Sequence, residues 1–207
     1  MSTDANAIWT AAWKGLGATP PDDSYSELVA GYADLGRAYH TLQHINECFQ
    51  HFEPARDVAE RAEEVELAIW FHDAVYDTKS KDSEERSARF AQRCLLDGGV
   101  AAESIDRVHN LILGTKHLNP PVGADEALLV DTDLSILGAR TDRFDEYEVQ
   151  VRHEYSWVPL DTYKLERSRI LQRFLDRPRV YWSKHFFDTL ENRARANLAR
   201  SIERLLA

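Results

Sequence analysis

The segment FHDAVYD, residues 71–77, places polar side chains inside a stretch that is otherwise apolar. A continuous hydrophobic run leads into it, and Ala74 and Val75 continue that run after His72 and Asp73. A carboxylate that is buried without a partner is strongly destabilising, so some neighbouring group has to compensate the charge of Asp73. That group must come from elsewhere in the chain or from a bound ion.

A second set of candidates lies upstream, in YHTLQHINECFQHF, residues 39–52. At the helical spacing of about 100° per residue, the polar residues His40, His44, Glu47 and His51 fall on one face and the apolar residues on another. A solvated polar face is the alternative explanation. Only His40 and His44 are close enough along the chain to serve one site, because His51 lies about 10 Å beyond His44 at a rise of ~1.5 Å per residue.

Two aspartates in LLVDTDLSIL complete the set. On a helical wheel Asp133 lies in the middle of the apolar arc, whereas Asp131 points roughly the opposite way. We therefore expect Asp133 to face the core and to need a positive partner, and Asp131 to be solvated. Two histidines and two aspartates in one helical core make a mixed nitrogen and oxygen site with open positions. Such a ligand set suits Mn, Fe, Co, Zn or Mg better than it suits a closed structural zinc site.

Several other side chains could contact a substrate. Asp77 lies one helical turn beyond Asp73, where it could orient a water molecule, although a simple turn carboxylate explains it as well. Lys116 and His117 lie at a helix end, where they could bind phosphate or a second metal, or only interact favourably with the helix dipole. Arg37 could reach a phosphate, and a surface arginine is the simpler interpretation.

The elements that position these residues are predicted to be helices throughout. Apolar residues recur at helical spacing between Gly and Pro breaks, and no segment shows the sustained alternation of a strand. The predicted helices include residues 38–52, residues 57–77, one helix ending at Gly138, and residues 142–157, 160–176 and 184–206. The fold class is therefore all-α.

Composition predicts an ordinary globular protein, with 207 residues, 43% hydrophobic and 29% charged. We expect a single domain over residues 1–207, with a metal-bearing core at about 37–138 and C-terminal helices at about 142–206 packed on it. The net charge of −10 disfavours general nucleic-acid binding, which depends on Lys and Arg. The two cysteines form no CxxC pair, and neither a secretory signal nor a bilayer-spanning apolar run is visible, so we expect a cytoplasmic protein without membrane contact.

The candidate ligands occur in an order that resembles the hallmark of the HD-domain metal-dependent phosphohydrolases, here His44, His72-Asp73 and Asp133. YHTLQHI is similar to the HNxxH stretch of cyclic-nucleotide phosphodiesterases, with Thr41 in place of Asn. FHDAVYDT is similar to the HDxxEDT motif of alarmone pyrophosphohydrolases, with Tyr76 in place of Glu. The HD resemblance covers roughly residues 37–138, and nearly the whole chain looks like a group of uncharacterised bacterial HD-superfamily proteins described as predicted phosphohydrolases.

The resemblance implies an HD-like helical bundle and a hydrolase acting on a phosphate ester or anhydride of a nucleotide or other small metabolite. It implies that His44, rather than His40, binds the divalent metal together with the His-Asp doublet and Asp133. His40 would then act as a general acid, and we expect Asp77 to orient or deprotonate the attacking water.

Two other classes of function stay open. HD-type di-iron oxygenases use the same ligand skeleton with additional histidines, for which His109 and His117 are available, although they are only eight residues apart. The non-enzymatic alternative is a helical ligand-binding protein with a vestigial metal site. Dependence of turnover on O₂, or the absence of any turnover, would distinguish these classes from hydrolysis.

Overall fold

The computed structural model describes residues 5–207, which form ten α-helices and two short 3-10 helices, with no strand in that range. The predicted all-α class is confirmed. The α-helices are α1 (Ala5–Gly15), α2 (Ser24–Tyr32), α3 (Leu42–Phe52), α4 (Ala62–Phe71), α5 (Ser83–Asp97), α6 (Ala102–Gly114), α7 (Gly123–Asp133), α8 (Thr141–Glu154), α9 (Leu160–Leu175) and α10 (Lys184–Leu206). The 3-10 helices are Glu53–Val58 and Leu134–Gly138. Among the described helices, none has the length and apolar character that crossing a membrane requires.

Contacts between residues divide the chain into two compact units, Met1–Val130 and Asp131–Ala207. The boundary falls inside α7, which runs unbroken across it. The expected single domain, with the C-terminal helices packed on the metal-bearing core, stays a prediction.

In the first unit, α4 is the central helix and packs against α1, α3, α5 and α6. Every residue from Glu64 to Phe71 is buried. A helix that is enclosed on all sides needs apolar residues around its whole circumference, which explains the continuous hydrophobic run in this part of the sequence. Trp9 of α1 packs edge-on against Trp70 of α4, with ring centroids 5.9 Å apart.

Two glutamates of α4 are buried together with arginine partners. Glu64 accepts two hydrogen bonds of 2.7 Å from Arg107 of α6. Glu66 accepts one of 2.7 Å from Arg56, and burial raises the pKa of Glu66 while Arg56 opposes that shift. Charge-assisted bonds of this kind compensate the loss of water around a buried carboxylate. Both glutamates therefore have a structural explanation within the first unit.

The helices around the predicted site are shorter than expected. α3 begins at Leu42 and not near residue 38, because Thr41 has an extended backbone and its side chain accepts the N–H of Gln43 at 3.2 Å. His40 therefore precedes the helix, and its predicted place on the polar face of α3 is wrong. α4 covers residues 62–71 rather than 57–77.

In the second unit, α10 packs against α9 and against the 3-10 helix Leu134–Gly138, which also contacts α8. The predicted helix ending at Gly138 is thus α7 followed by a 3-10 segment. Gly138 is required by a close approach, since a Cβ there would lie 2.6 Å from the Cβ of Leu190. Asn197 of α10 fixes the end of the segment by donating to the carbonyls of Leu137 and Ala139, at 2.9 Å each.

The prediction that Asp131 is solvated is wrong. Asp131 is fully buried. Its carboxylate accepts hydrogen bonds from the backbone N–H groups of Trp182 at 2.8 Å and Ser183 at 2.6 Å. These two residues directly precede α10. Burial raises the pKa of Asp131 to about 6, while the bonds from Trp182 and Ser183 oppose the shift. A helical wheel drawn from α7 alone cannot include Trp182, the hydrogen-bond partner of Asp131, which lies 51 residues further along the chain.

We expect Asp131→Ala to lower the free energy of unfolding by about 1–3 kcal/mol, because the buried N–H groups of Trp182 and Ser183 lose their acceptor. Urea denaturation followed by circular dichroism measures this change. Asp142→Ala is the matched control, since the side chain of Asp142 is 72% exposed and its loss should change stability by no more than about 0.5 kcal/mol. Equal effects of the two substitutions would contradict the assigned role of Asp131.

Candidate metal centre

Three side chains of the first unit bring potential metal-binding atoms together at the end of α4. The Nε2 atoms of His44 and His72 are 3.1 Å apart. Asp73 Oδ2 lies 3.2 Å from His72 Nε2 and 3.6 Å from His44 Nε2. Ligand atoms held at ~2.1 Å from one ion are separated by about 3.0–3.4 Å in octahedral or tetrahedral geometry. Two of the three distances fall in this range, and the 3.6 Å between Asp73 Oδ2 and His44 Nε2 exceeds it slightly, so the triangle is close to the size that a shared metal ion requires.

Asp133, the fourth predicted ligand, is the last residue of α7. One ligand atom from each of His44, His72, Asp73 and Asp133 lies within 4.8 Å of the others. Together the four residues form a His/Asp group that could hold a metal ion.

Hydrogen bonding fixes the tautomer of His72. Its Nδ1 lies 2.9 Å from the carbonyl oxygen of Ile69. A carbonyl can only accept, so Nδ1 carries the proton, and Nε2 of the neutral ring presents a lone pair. A backbone carbonyl that orients the ring through Nδ1–H is the usual arrangement for a metal-binding histidine.

The lone pair of His72 faces another acceptor, the carboxylate of Asp73. Two acceptors 3.2 Å apart need a cation or an additional proton between them. A proton on Nε2 would create an imidazolium on a residue that is only 1% exposed. A divalent cation satisfies His72, Asp73 and the equally buried His44 at once, and this fits the chemistry of the donor set.

The convergence of His72 and Asp73 depends on where α4 ends. Adjacent residues within a helix diverge by about 100°, but α4 stops at Phe71, and both residues lie in the turn that follows. The last carbonyls of a helix have no partner within the helix and need other donors. His72 Nδ1–H donates a hydrogen bond to the carbonyl oxygen of Ile69. The hydroxyl of Tyr32 donates to the carbonyl oxygen of Trp70 at 2.8 Å.

Arg37 fixes the same turn from its other side. Its guanidinium donates to the carbonyl oxygens of Asp73 at 2.6 Å, Ala74 at 2.9 Å and His40 at 3.2 Å. It also lies over the ring of Tyr76, 5.6 Å from the centroid. The structure thus gives Arg37 a role in joining the segment before α3 to the turn after α4. Its predicted contact with a substrate phosphate stays a prediction.

The two predicted proton-transfer residues have different surroundings. The ring of His40 stacks on Tyr76 with centroids 4.0 Å apart and lies 6.0 Å from the ring of His44, so it adjoins the metal-binding group. Asp77 is exposed in the loop after α4, where its carboxylate accepts the N–H of Lys79 at 2.9 Å. Its expected place one helical turn beyond Asp73 is wrong because the helix has already ended.

The remaining candidates lie outside the four-residue group. Lys116 forms an ion pair with Glu85, and His117 lies in the turn after α6 with a φ of 55°. Within the described residues, the group contains neither His109 nor His117. Contacts of Lys116 and His117 with a substrate stay predictions.

Cys48 is a neighbour of the site that the sequence interpretation missed. Its buried sulfur lies 3.7 Å from both ring nitrogens of His44. The spacing of four residues from His44 places Cys48 on the same helical face, so this contact could have been found from the sequence. The carbonyl contacts of Tyr32 and Arg37 had no comparable signal, since they join residues 36 to 38 positions apart.

The chain matches no protein-family model, no curated protein and no solved structure. The chemistry of the site therefore has to be argued from its own side chains. These make an all-helical protein with a His/Asp group that could bind a metal ion.

We expect Mn²⁺ or Zn²⁺ to raise the thermal unfolding midpoint of the wild-type protein, because an ion that binds only the folded state stabilises it by about 2.7 kcal/mol at 100 times its Kd. Asp73→Asn removes the charge that balances the cation and should abolish most of this shift. His51→Gln is the control, since His51 lies outside the group. A shift of equal size in Asp73→Asn would argue against the assigned site.

We expect Arg37→Gln to destabilise the protein by about 1–3 kcal/mol in the absence of any substrate, since it withdraws donors from three carbonyls. Arg93→Gln is the control, because Arg93 forms an exposed ion pair with Glu27 of the kind that contributes little. Urea denaturation compares both variants with wild type. An unchanged midpoint for Arg37→Gln would leave substrate binding as the better explanation of Arg37.

Proposed function

We propose that the protein is a metal-dependent phosphohydrolase acting on a phosphate ester or anhydride of a nucleotide or other small metabolite. The observation that carries the proposal is the lone pair of His72 Nε2, which faces the carboxylate of Asp73 at 3.2 Å beside the buried His44. Two imidazoles and two carboxylates leave coordination positions open for a substrate and for water. Open positions are typical of catalytic rather than structural metal sites.

The order of the ligands supports the choice of reaction. His44, the doublet His72-Asp73 and Asp133 follow one another as in the HD-domain metal-dependent phosphohydrolases, which the sequence resembles. The side chains that match this pattern are the same four that form the His/Asp group. The resemblance points to phosphate esters or anhydrides as the class of substrate.

The site chemistry also agrees with phosphate transfer to water. A divalent cation held by these residues would polarise a phosphoryl oxygen and lower the pKa of a bound water. The carboxylates of Asp73 and Asp133 balance its charge, and mixed nitrogen and oxygen ligands suit Mn, Fe, Co, Zn or Mg. His44 and His72 bind through neutral imidazole, which leaves the charge of the site close to neutral.

We assign proton transfer to the residues that adjoin this group. His40 lies beside His44 and is positioned by its stack on Tyr76, so it would protonate the leaving oxygen. Asp77 follows the ligands in the same loop and would orient the attacking water. Lys116 and His117 are the proposed contacts for substrate phosphate. Cys48 and Cys94 are buried and form no disulfide bond, which suits a reducing compartment, and we propose a cytoplasmic location.

Two variants test the proposed reaction. We expect wild-type protein to release phosphate from nucleotide or sugar-phosphate substrates in the presence of Mn²⁺, and Asp73→Asn to lose both metal and turnover. Asp77→Asn should retain metal while turnover falls by roughly 10²–10⁴, the usual contribution of a positioned general base. Elemental analysis and a phosphate-release assay measure the two effects separately.

The same assay distinguishes the alternatives. Wild-type protein that holds metal but releases no phosphate from any substrate of the panel would contradict hydrolysis and favour a vestigial site. Turnover that stops under anaerobic conditions would favour oxygenase chemistry. Loss of metal from Asp77→Asn would make Asp77 a ligand and remove it as the base.

A further inference from the structure

The backbone on both sides of Tyr76 is bound to residues at the start of α5. The N–H of Val75 donates to the hydroxyl of Ser87 at 3.0 Å, and that hydroxyl donates back to the carbonyl of Val75 at 3.1 Å. Ser87 is fully buried. The N–H of Asp77 donates to the hydroxyl of Ser83 at 3.2 Å. Because both neighbours of Tyr76 are held, the position from which its side chain extends is fixed.

The ring of Tyr76 packs face to face against the imidazole of His40. The two centroids are 4.0 Å apart and the ring planes differ by 26°. Tyr39 contacts the same imidazole at 4.8 Å, with its ring nearly perpendicular. Arg37 donates to the backbone carbonyl of His40 at 3.2 Å. These contacts hold the His40 ring with its centroid 6.0 Å from that of His44, a residue of the candidate metal centre.

The two residues proposed for proton transfer are thus held to different degrees. Asp77 is exposed, and its carboxylate accepts the N–H of Lys79 within its own loop. His40 is held by two rings and by its backbone. A positioned general acid accelerates a step in which the leaving group takes up a proton. The arrangement therefore favours substrates whose leaving group is a strong base.

Phosphate esters of alcohols and phosphate anhydrides differ in this property. In ester hydrolysis water adds to phosphorus, the P–O bond to the alcohol breaks, and the electron pair of that bond stays on the leaving oxygen. An alkoxide is about as basic as hydroxide, whose conjugate acid has a pKa of ~15.7, so it takes the proton of His40 and leaves as the alcohol. A proton of the attacking water restores His40. An anhydride releases a phosphate, whose second pKa is only ~6, and this group leaves without an added proton.

We propose that Tyr76 is a positioning residue that holds His40 for proton donation, and that the substrates are phosphate esters of alcohols rather than anhydrides. The inference rests on the proposed phosphohydrolase function and on the role of His40 in it. Tyr76 acts through the face of its ring, so its hydroxyl is not required. An aliphatic side chain at the same position offers the imidazole no aromatic face.

Tyr76→Leu and Tyr76→Phe test the role of the ring in the presence of Mn²⁺. For nucleoside monophosphates, we expect kcat of Tyr76→Leu to fall by roughly 10–10²-fold with KM unchanged, because the acid is displaced from the leaving oxygen. For p-nitrophenyl phosphate, whose leaving group needs no proton, kcat should stay within about twofold. Tyr76→Phe should match wild type on both substrates. Tyr25→Leu is the control, since Tyr25 is also partly buried and packs against the ring of Trp70 at 5.8 Å.

Nuclear magnetic resonance of the metal-free protein tests the stack without any substrate. The carbon-bound ring protons of His40, assigned by comparison with His40→Gln, should be shifted upfield by the face of Tyr76. The shift should be retained in Tyr76→Phe and lost in Tyr76→Leu. Wild-type protein without nuclear Overhauser contacts between the two rings would overturn the inference, whether or not Tyr76→Leu folds.

The outcomes separate this inference from the function on which it rests. Wild-type protein that releases phosphate from no ester and no anhydride would overturn the proposed function and the role of Tyr76 together. Wild-type protein that hydrolyses nucleoside triphosphates but no monophosphate would overturn only the inference. Equal losses of Tyr76→Leu on nucleoside monophosphates and p-nitrophenyl phosphate, or a loss in Tyr76→Phe as large as in Tyr76→Leu, would also overturn it.

Discussion

The candidate site depends on the point at which α4 ends. His72 and Asp73 are adjacent in sequence, and adjacent residues of a continuing helix diverge by about 100°. Because the helix stops at Phe71, both side chains extend from a turn toward the same place. The turn is stable only if the carbonyls released at the helix end find donors, and Tyr32 and Arg37 supply them from outside α4. The positions of His72 and Asp73 in the candidate site are therefore supported by hydrogen bonds made to the backbone behind them.

The helices could be predicted from the sequence because they depend on short-range patterns. The four side chains singled out in the sequence lie together as a group that could hold a metal ion. Helical spacing predicted α3, α4 and the helices from α7 to α10, and α10 was predicted with the bounds that the structure shows. The ends of α3 and α4 were less predictable. The cap at Thr41 is a local signal that competes with the apolar pattern around it. The end of α4 depends on donors 36 to 38 residues earlier in the chain.

The contrast between Asp131 and Asp133 shows where a helical wheel fails. The two side chains point in nearly opposite directions from α7, and the wheel correctly separates them. The wheel does not reveal that the side of the helix end that carries Asp131 is also packed against protein. Asp131 is buried against the residues before α10, which a wheel drawn from α7 alone cannot include. When two side chains point in opposite directions from a helix, one is buried and the other exposed only if the helix packs against protein on a single face.

The carboxylates of this chain have different kinds of neighbour: Glu64, Asp131 and Glu191 are buried, whereas Asp73 is only partly buried. Glu64 is paired with an arginine, and Asp131 and Glu191 accept backbone N–H groups. Each of these partners is a donor, so each pair is complete within the protein. Asp73 instead faces the Nε2 atom of His72, whose proton is on the other ring nitrogen. A metal ion bound by both groups would interact favourably with the lone pair and with the carboxylate. Asp73 is thus one of the four side chains of the His/Asp group that could hold a metal ion.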